Sequence, residues 1–313
     1  MYLMIVQLLL YIVSFLLIWY SAGLIVTSVD RLAHKLNLSA FAVSFFLLGI
    51  LTSVPELSVG ISSLIDRKPE IFVGNLIGGI IVIFLLIIPI LAIIGGGVRL
   101  AHQMEKHNLV FALLVIIAPS IFALDGRIGF IEGLYVIFLY AILTYMVEKR
   151  KGLLERIKDN LVNNKNHITN DLIKIIASVI LVFVASKYVV DTTIYFSNLF
   201  QISSFLISLI IISIGTNLPE LSLVIRALLL QKKEVAFGDF LGSASANSLI
   251  FGLLVLLNKG DVIVPNNFFQ TFIFIAGGLM LFYIFSRSKQ DISRVEGLIL
   301  LLAYGAFLIF EII

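Results

Sequence analysis

Two short segments of this 313-residue chain carry the residue types that bind small cations. Ile50-Leu51-Thr52-Ser53-Val54-Pro55-Glu56-Leu57-Ser58 returns as Ile214-Gly215-Thr216-Asn217-Leu218-Pro219-Glu220-Leu221-Ser222, at an offset of 164 residues. Each segment places a proline directly before a glutamate. Inside a helix, proline deletes one backbone hydrogen bond and obstructs another at about 3 kcal/mol, so the helix should break or kink there. Carbonyls freed near Thr52 and Thr216, together with the carboxylates of Glu56 and Glu220, then make a set of hard oxygen donors. Ca2+ takes roughly six to eight such oxygens, and Na+ uses the same kinds. One Thr-x-x-Pro-Glu alone would be an ordinary kinked helix; two equivalent copies point to a cation site.

The elements that position these groups follow from composition. Hydrophobic residues make up 60% of the chain and charged ones 13%, against about 25% charged in soluble proteins. Mean hydropathy is +1.11, so the solvent for most of the exterior is lipid. A pI near 9.0 does not make a nucleic-acid binder of a chain whose net charge is only +3. Without cysteine there is no disulfide framework, thiolate metal site or Cys nucleophile. Ten stretches are long enough to cross the hydrocarbon as helices: about 2–28, 39–65, 71–94, 108–124, 127–147, 171–197, 203–229, 236–257, 266–286 and 294–312. Runs such as Ile80–Ile94 and Leu249–Leu257 lack the alternation of a membrane β-barrel. The apolar start, Met1 to Thr27, lacks a basic leader and a small-residue cleavage pattern, so it reads as a retained first span.

Lys and Arg divide unequally between the two sides that these spans connect. One side holds Arg67, Lys68, Arg127, Lys187 and Lys259, and the other holds the remaining seventeen of the 22. The second side is therefore expected in the cytoplasm, with both termini outside. The polar stretch Glu148 to Asn170 becomes a cytoplasmic linker, either a solvated connector or a surface-lying amphipathic helix.

The 164-residue offset persists beyond the two acidic segments. Gly74 and Gly78 match Gly238 and Gly242, and Glu132-Gly133-Leu134 matches Glu296-Gly297-Leu298. The chain is thus expected to hold a first repeat (1–147), the linker (148–170) and a second repeat (171–313). Five spans per repeat give the second an opposite orientation in the membrane. Inverted repeats are the usual scaffold of secondary transporters, with the site at mid-depth between them.

Glu56 and Glu220 fall about 15 residues inside their spans, where a charge costs about 2.5–3.5 kcal/mol on the mildest scale. Protonation or pairing with a base would relieve that cost, but Arg226 sits near a span end and Lys187 near the interface. The next span of each half opens with small residues, Gly74-Asn75-Leu76-Ile77-Gly78-Gly79 and Gly238-Asp239-Phe240-Leu241-Gly242-Ser243. Such residues four apart allow close helix contact, here against the broken helices. The second run continues to Ser245, Asn247 and Ser248, whereas the first continues as Ile80, Ile81, Val82 and Ile83, so the half-sites are unequal in donors.

At these residues the sequence resembles the cation/calcium exchanger superfamily, most closely its prokaryotic Na+/Ca2+ exchanger branch. That family carries Gly-Thr-Ser-Leu-Pro-Glu and Gly-Asn-x-x-Gly-Ser-x-x-x-Asn/Asp motifs in a ten-helix fold of two inverted five-helix repeats. The resemblance implies an all-α polytopic membrane protein with broken second and seventh helices. It also implies that Glu56 and Glu220 share a Ca2+ ion, helped by the carbonyls of Thr52 and Thr216. Ser53, Asn217, Ser243 and Asn247 fall on positions that line flanking cation sites in the family. Departures occur at Leu51, Gly79 and Ile83, where the family has Gly, Ser and Asn, and at Asp239 and Asn247, where it has Asn and Asp. Asp239 either supplies a charge that compensates for Asn247 or lies solvated at the start of its helix.

The expected function is secondary active antiport of Ca2+ for Na+ or H+ by alternating access at a mid-membrane carboxylate site. Proton coupling enters because the donors lost beside Glu56 should weaken a flanking Na+ site, and a buried carboxyl can carry a proton. The alternatives are a cation-binding membrane protein with altered or lost exchange, or a transporter of another divalent cation such as Mg2+ or Mn2+. An enzyme is not expected. His34, His102, His107 and His167 fall in loops without catalytic partners, and no Gly-Lys-Ser run binds ATP, so the energy must come from an ion gradient. The expected partners are inorganic cations and the lipid bilayer, with no organic cofactor, and the expected residence is a prokaryotic inner membrane.

Overall fold

Long runs of Leu, Ile, Phe and Val can satisfy their backbone in lipid only by closing hydrogen bonds within the segment, and these runs are helical in the computed structural model. It describes residues 2–35, 41, 44–96, 98–99, 106–151, 165–221, 233–264, 268–287 and 291–312. The helices are α1 (Tyr2–Lys35), α2 (Ser44–Ile65), α3 (Glu70–Ile94), α4 (Lys106–Phe122) and α5 (Phe130–Lys151), followed by α6 (Lys165–Phe200), α7 (Ser204–Leu221), α8 (Lys233–Leu257), α9 (Phe268–Arg287) and α10 (Arg294–Ile312). Among the described residues, six helices have segments long and apolar enough to cross a membrane: α2, α3, α5, α7, α8 and α9. Shorter apolar stretches, Val6–Ser21 and His107–Phe122, lie in α1 and α4. The chain is an integral membrane protein.

Helix α5 continues to Lys151 and α6 starts at Lys165, so both edges of the expected linker are helical; its centre, 152–164, lies outside the described residues. His34, His107 and His167 occupy terminal turns of helices, not loops, and His102 lies outside the described residues. The sequence reading also missed four two-residue strands, which are too short to show alternation. β1 (Val98–Arg99) pairs antiparallel with β4 (Asp291–Ile292), and β2 (Arg127–Ile128) with β3 (Val262–Ile263). Val98↔Ile292 and Ile128↔Val262 are the same pairing with the halves exchanged. Beside them Glu132 accepts from the Gly129 N–H, and Glu296 accepts from the Ser293 N–H at 2.7 Å. Each caps the first turn of its helix, α5 or α10, by reaching back to the N-terminus.

Helices α3 and α8 form the centre, with 78% of each apolar window buried. Gly74 and Gly78 of α3 meet Phe205, Ser208, Leu209 and Ser213 of α7, and Gly238 and Gly242 of α8 meet Phe41, Ser44 and Phe45, at and just before the start of α2. These contacts also recur 164 residues apart, so the Gly-rich helix of each half crosses the broken helix of the other. A side chain in place of these glycines would meet backbone, which is why the small-residue runs exist. Helices α1 and α6 pack along one another outside this centre, and Arg31 Nε meets Asp171 Oδ1 at 3.1 Å.

Candidate cation site

Helix α2 opens with a π-helical turn at Ser44–Leu48, runs regularly over Gly49–Thr52 and breaks at Ser53, where φ is −80° and ψ 6°. A new helical segment, Val54–Ile65, then begins with Pro55 in its first turn. Helix α7 repeats this: a π-helical turn at Ser208–Ile212, Ser213–Thr216, then Asn217 at φ −87°, ψ 13°. The proline therefore does not kink a continuous helix. It starts the second segment, where its missing N–H has no partner to lose. Glu56 consequently stands in the first turn of that segment, where the helix dipole favours negative charge. The bonds after each break go to the carbonyls of Ser53, from Leu57 N–H, and Asn217, from Leu221 N–H, each at 3.1 Å. Ser222, the last matched motif residue, lies outside the described residues.

Glu56, Glu220 and Asp239 are 0%, 1% and 0% exposed. Among the described residues, both carboxyl oxygens of each glutamate and Oδ2 of Asp239 lack a hydrogen-bond partner, and the three acids are close enough to act on one another electrostatically. Among the described residues no Lys or Arg forms an ion pair with any of them. Thr52 Oγ1 shares its one proton between Leu48 O at 2.9 Å and Asp239 Oδ1 at 3.2 Å. Its mate Thr216 donates to Asn75 Oδ1 at 3.0 Å. Thr216 faces Glu56 and Thr52 faces Glu220, but each hydroxyl proton is committed elsewhere, leaving the glutamates unpartnered. Ser53 Oγ donates to Gly49 O at 2.8 Å and approaches Ser243 O at 3.4 Å. Asn217 Nδ2 donates to Ser213 O at 2.8 Å, while its Oδ1 and both amide atoms of Asn247 are unpartnered.

The nine residues singled out from sequence are all buried at this crossing of α2, α3, α7 and α8. Asp239 is not solvated at a helix start, since it is buried nearly two turns inside α8 against Thr52. Gly79 leaves no open gap: a Cβ there would come 3.1 Å from Asn217 Nδ2 and 3.4 Å from Asn247 Nδ2. Ile83 is fully buried among apolar side chains. Asn75 was missed as a site residue, although the 164-residue offset equates it with Asp239. Thr216→Val leaves the Asn75 oxygen unpaired, at about 1–3 kcal/mol, and should lower the thermal midpoint of purified protein by several degrees.

Buried acids without bases fit a cationic ligand and little else. Among the described residues no three His, Cys, Asp or Glu side chains converge closely enough to hold a metal ion together. The donors are carboxylate, hydroxyl, amide and carbonyl oxygens, the set that suits hard cations such as Ca2+ and Na+.

Comparison with known proteins agrees with this chemistry. The chain is 26% identical over 324 residues to the sodium/calcium exchanger MaX1 of Methanosarcina acetivorans, covering 91% of this chain and 92% of that one. It is 25% identical to the inner membrane protein YrbG of Escherichia coli, covering 80% of each. A structure of the sodium-calcium exchanger NCX_Mj soaked with Na+ and Sr2+ superposes with a TM-score of 0.74 over 96% of this chain and 97% of that one, at 23% identity, and so shares the fold. The sequence profile of one family matches twice, over residues 6–148 and 171–313. By that match the chain belongs to the sodium/calcium exchanger protein family, whose members are transporters and not enzymes.

Proposed function

We propose that this protein exchanges Ca2+ for Na+ or H+ at a site between Glu56 and Glu220, with Thr52, Thr216, Ser53, Asn217, Ser243, Asn247 and Asp239 supplying the surrounding oxygens. The observation that carries the reading is the pair of glutamates at repeat-equivalent positions, buried and, among the described residues, with all four carboxyl oxygens unpaired and no basic side chain in an ion pair with them. Burying such charges costs several kcal/mol each unless an ion compensates them. Occupied carboxylates can cross the occlusion barrier and empty ones cannot, so competition between ions for the same oxygens couples their movements.

The scaffold in this reading is ten spans in two inverted five-helix repeats, 1–147 and 171–313, joined by a cytoplasmic linker with both termini outside. The reciprocal contacts of α3 with α7 and of α8 with α2, and the exchanged strand pairings, support it. The name of YrbG supports residence in a prokaryotic inner membrane. Uptake of radioactive calcium into proteoliposomes is expected under an outward Na+ or proton gradient. Absence of flux under both, with folded protein, refutes calcium exchange.

Gly79 and Ile83, which withhold two side-chain donors, favour a second reading: binding without exchange, or carriage of another divalent cation. Calorimetry separates these from the first. A binding-only protein holds Ca2+ yet passes none, and a carrier of Mg2+ or Mn2+ binds that ion more tightly.

A further inference from the structure

Far from the crossing of the broken helices, Glu311 of α10 is an acid that the cation site does not use. It is half-buried, and among the described residues no Lys or Arg forms an ion pair with it. Its equivalent at the 164-residue offset, Val147, is a buried apolar residue, so the duplicated fold does not require an acid here. Glu311 Oε1 accepts from Thr271 Oγ1 of α9, and Gln270 Nε2 donates to the Phe310 carbonyl at 2.6 Å, which fixes the end of α10 beside the start of α9. Among the described residues Oε2 has no such donor.

Glu311 lines a cavity of about 500 Å3, within the roughly 300–1,000 Å3 of small-molecule sites. The rest of the lining comes from the start of α7 and the turn before it. Leu206, Ile207, Ile210 and Ile211 make it apolar, and the last two belong to the π-helical turn Ser208–Ile212, a departure from regular helix that often accompanies function. Gln201 and Ser203 add an exposed amide and hydroxyl. Ser203 Oγ accepts from the Leu206 N–H at 3.2 Å, which leaves its own proton to donate. No basic side chain lines the cavity.

This lining offers one carboxylate acceptor, two neutral donors and an apolar channel. An anionic headgroup would set a second negative charge beside Glu311 with nothing to offset either, whereas an ammonium makes a charge-assisted hydrogen bond with it. Ile202 and Ile211 at the cavity are 44% and 46% exposed, so it opens toward the hydrocarbon around the chain and receives its occupant from the bilayer. We propose that the cavity holds one aminophospholipid, with its ammonium on Glu311, its phosphodiester on the Ser203 hydroxyl and the Gln201 amide, and an acyl chain along Leu206, Ile207, Ile210 and Ile211. Val147 in the other half makes the site one-sided, on the face where α6 turns into α7. The proposal does not depend on which ion the protein carries.

The test is thermal melting of purified, delipidated full-length protein in a neutral detergent, with phosphatidylethanolamine, phosphatidylglycerol or phosphatidylcholine of identical chains added. Binding to the folded state alone raises the midpoint, and saturating phosphatidylethanolamine is expected to raise it by about 5 °C. The other two lipids should give less than half of that shift, and native mass spectrometry should retain one phosphatidylethanolamine per chain. Glu311→Gln keeps an acceptor for Thr271 and loses the charge, so it should melt as wild type without lipid and respond alike to all three. Ile211→Trp fills the channel without touching Glu311 and should abolish the phosphatidylethanolamine shift. Equal shifts with all three lipids in wild type, or an undiminished preference in either variant, overturn the proposal. A full shift with glycerophosphoethanolamine, which has no acyl chains, also overturns it and assigns the cavity to a soluble amine.

Discussion

Replacing either Glu56 or Glu220 by glutamine is expected to lower calcium uptake into proteoliposomes to the protein-free background. Each glutamate is buried with both oxygens unpaired, so each variant removes half of the charge available to a divalent ion between them. Losing one close charged ligand in a dry site costs about 3–5 kcal/mol, which corresponds to binding weakened by more than 100-fold. The loss should appear in calorimetry as well as in flux, because it acts on binding before it acts on movement. Glu132→Gln and Glu296→Gln are the matched controls. These glutamates also repeat at the 164-residue offset, but each accepts a hydrogen bond from the backbone N–H three residues earlier, at the start of a helix. Glutamine keeps an acceptor there, so flux should remain within about 2-fold, since surface caps contribute little more than about 1 kcal/mol. Equal behaviour of the two pairs would place the site elsewhere.

Gly242→Leu is expected to leave little or no folded monodisperse protein. A Cβ at this position runs into the backbone of Phe45, in the π-helical turn that opens α2, and backbone cannot rotate away as a side chain would. Overpacking a core costs about 1–3 kcal/mol when side chains can adjust, and here α2 and α8 would have to separate. Gly277→Ala in α9 is the contrast, with nothing within 4 Å of the added methyl. Alanine is favoured over glycine in a helix by about 0.8–1.0 kcal/mol, so its melting temperature should hold or rise. Gel filtration and thermal melts of detergent-solubilised protein read both. A well-folded Gly242→Leu protein would mean that α2 and α8 do not approach as closely as described.

The identity of the two acidic segments was legible because proline, glutamate and threonine are rare in so apolar a chain, and their recurrence at a fixed offset cannot be hidden by tertiary contacts. The sequence analysis placed the break at the proline; the structure puts it at Ser53 and Asn217. Proline tolerates the first turn of a helix better than its interior, and a sequence does not reveal which side of a break a residue joins. The strand pairs β1–β4 and β2–β3 gave no signal because two residues carry no period. Asn75 drew no attention as a site residue because amides are common beside small-residue runs and its partner, Thr216, is 141 residues away.

What composition and repetition supplied unaided was the medium, the duplication and the residue types of the proposed site. Each rests on counting residues along a line: apolar length sets the span, the constant offset sets the repeat, and two acids set the charge to be neutralised. Whether Asp239 stands in water or against Thr52, and whether the vacancy at Gly79 is filled by neighbouring amides, depended on which helices cross. That crossing is decided by backbone approach at Gly74, Gly78, Gly238 and Gly242, between elements more than a hundred residues apart, and only the folded chain reports it.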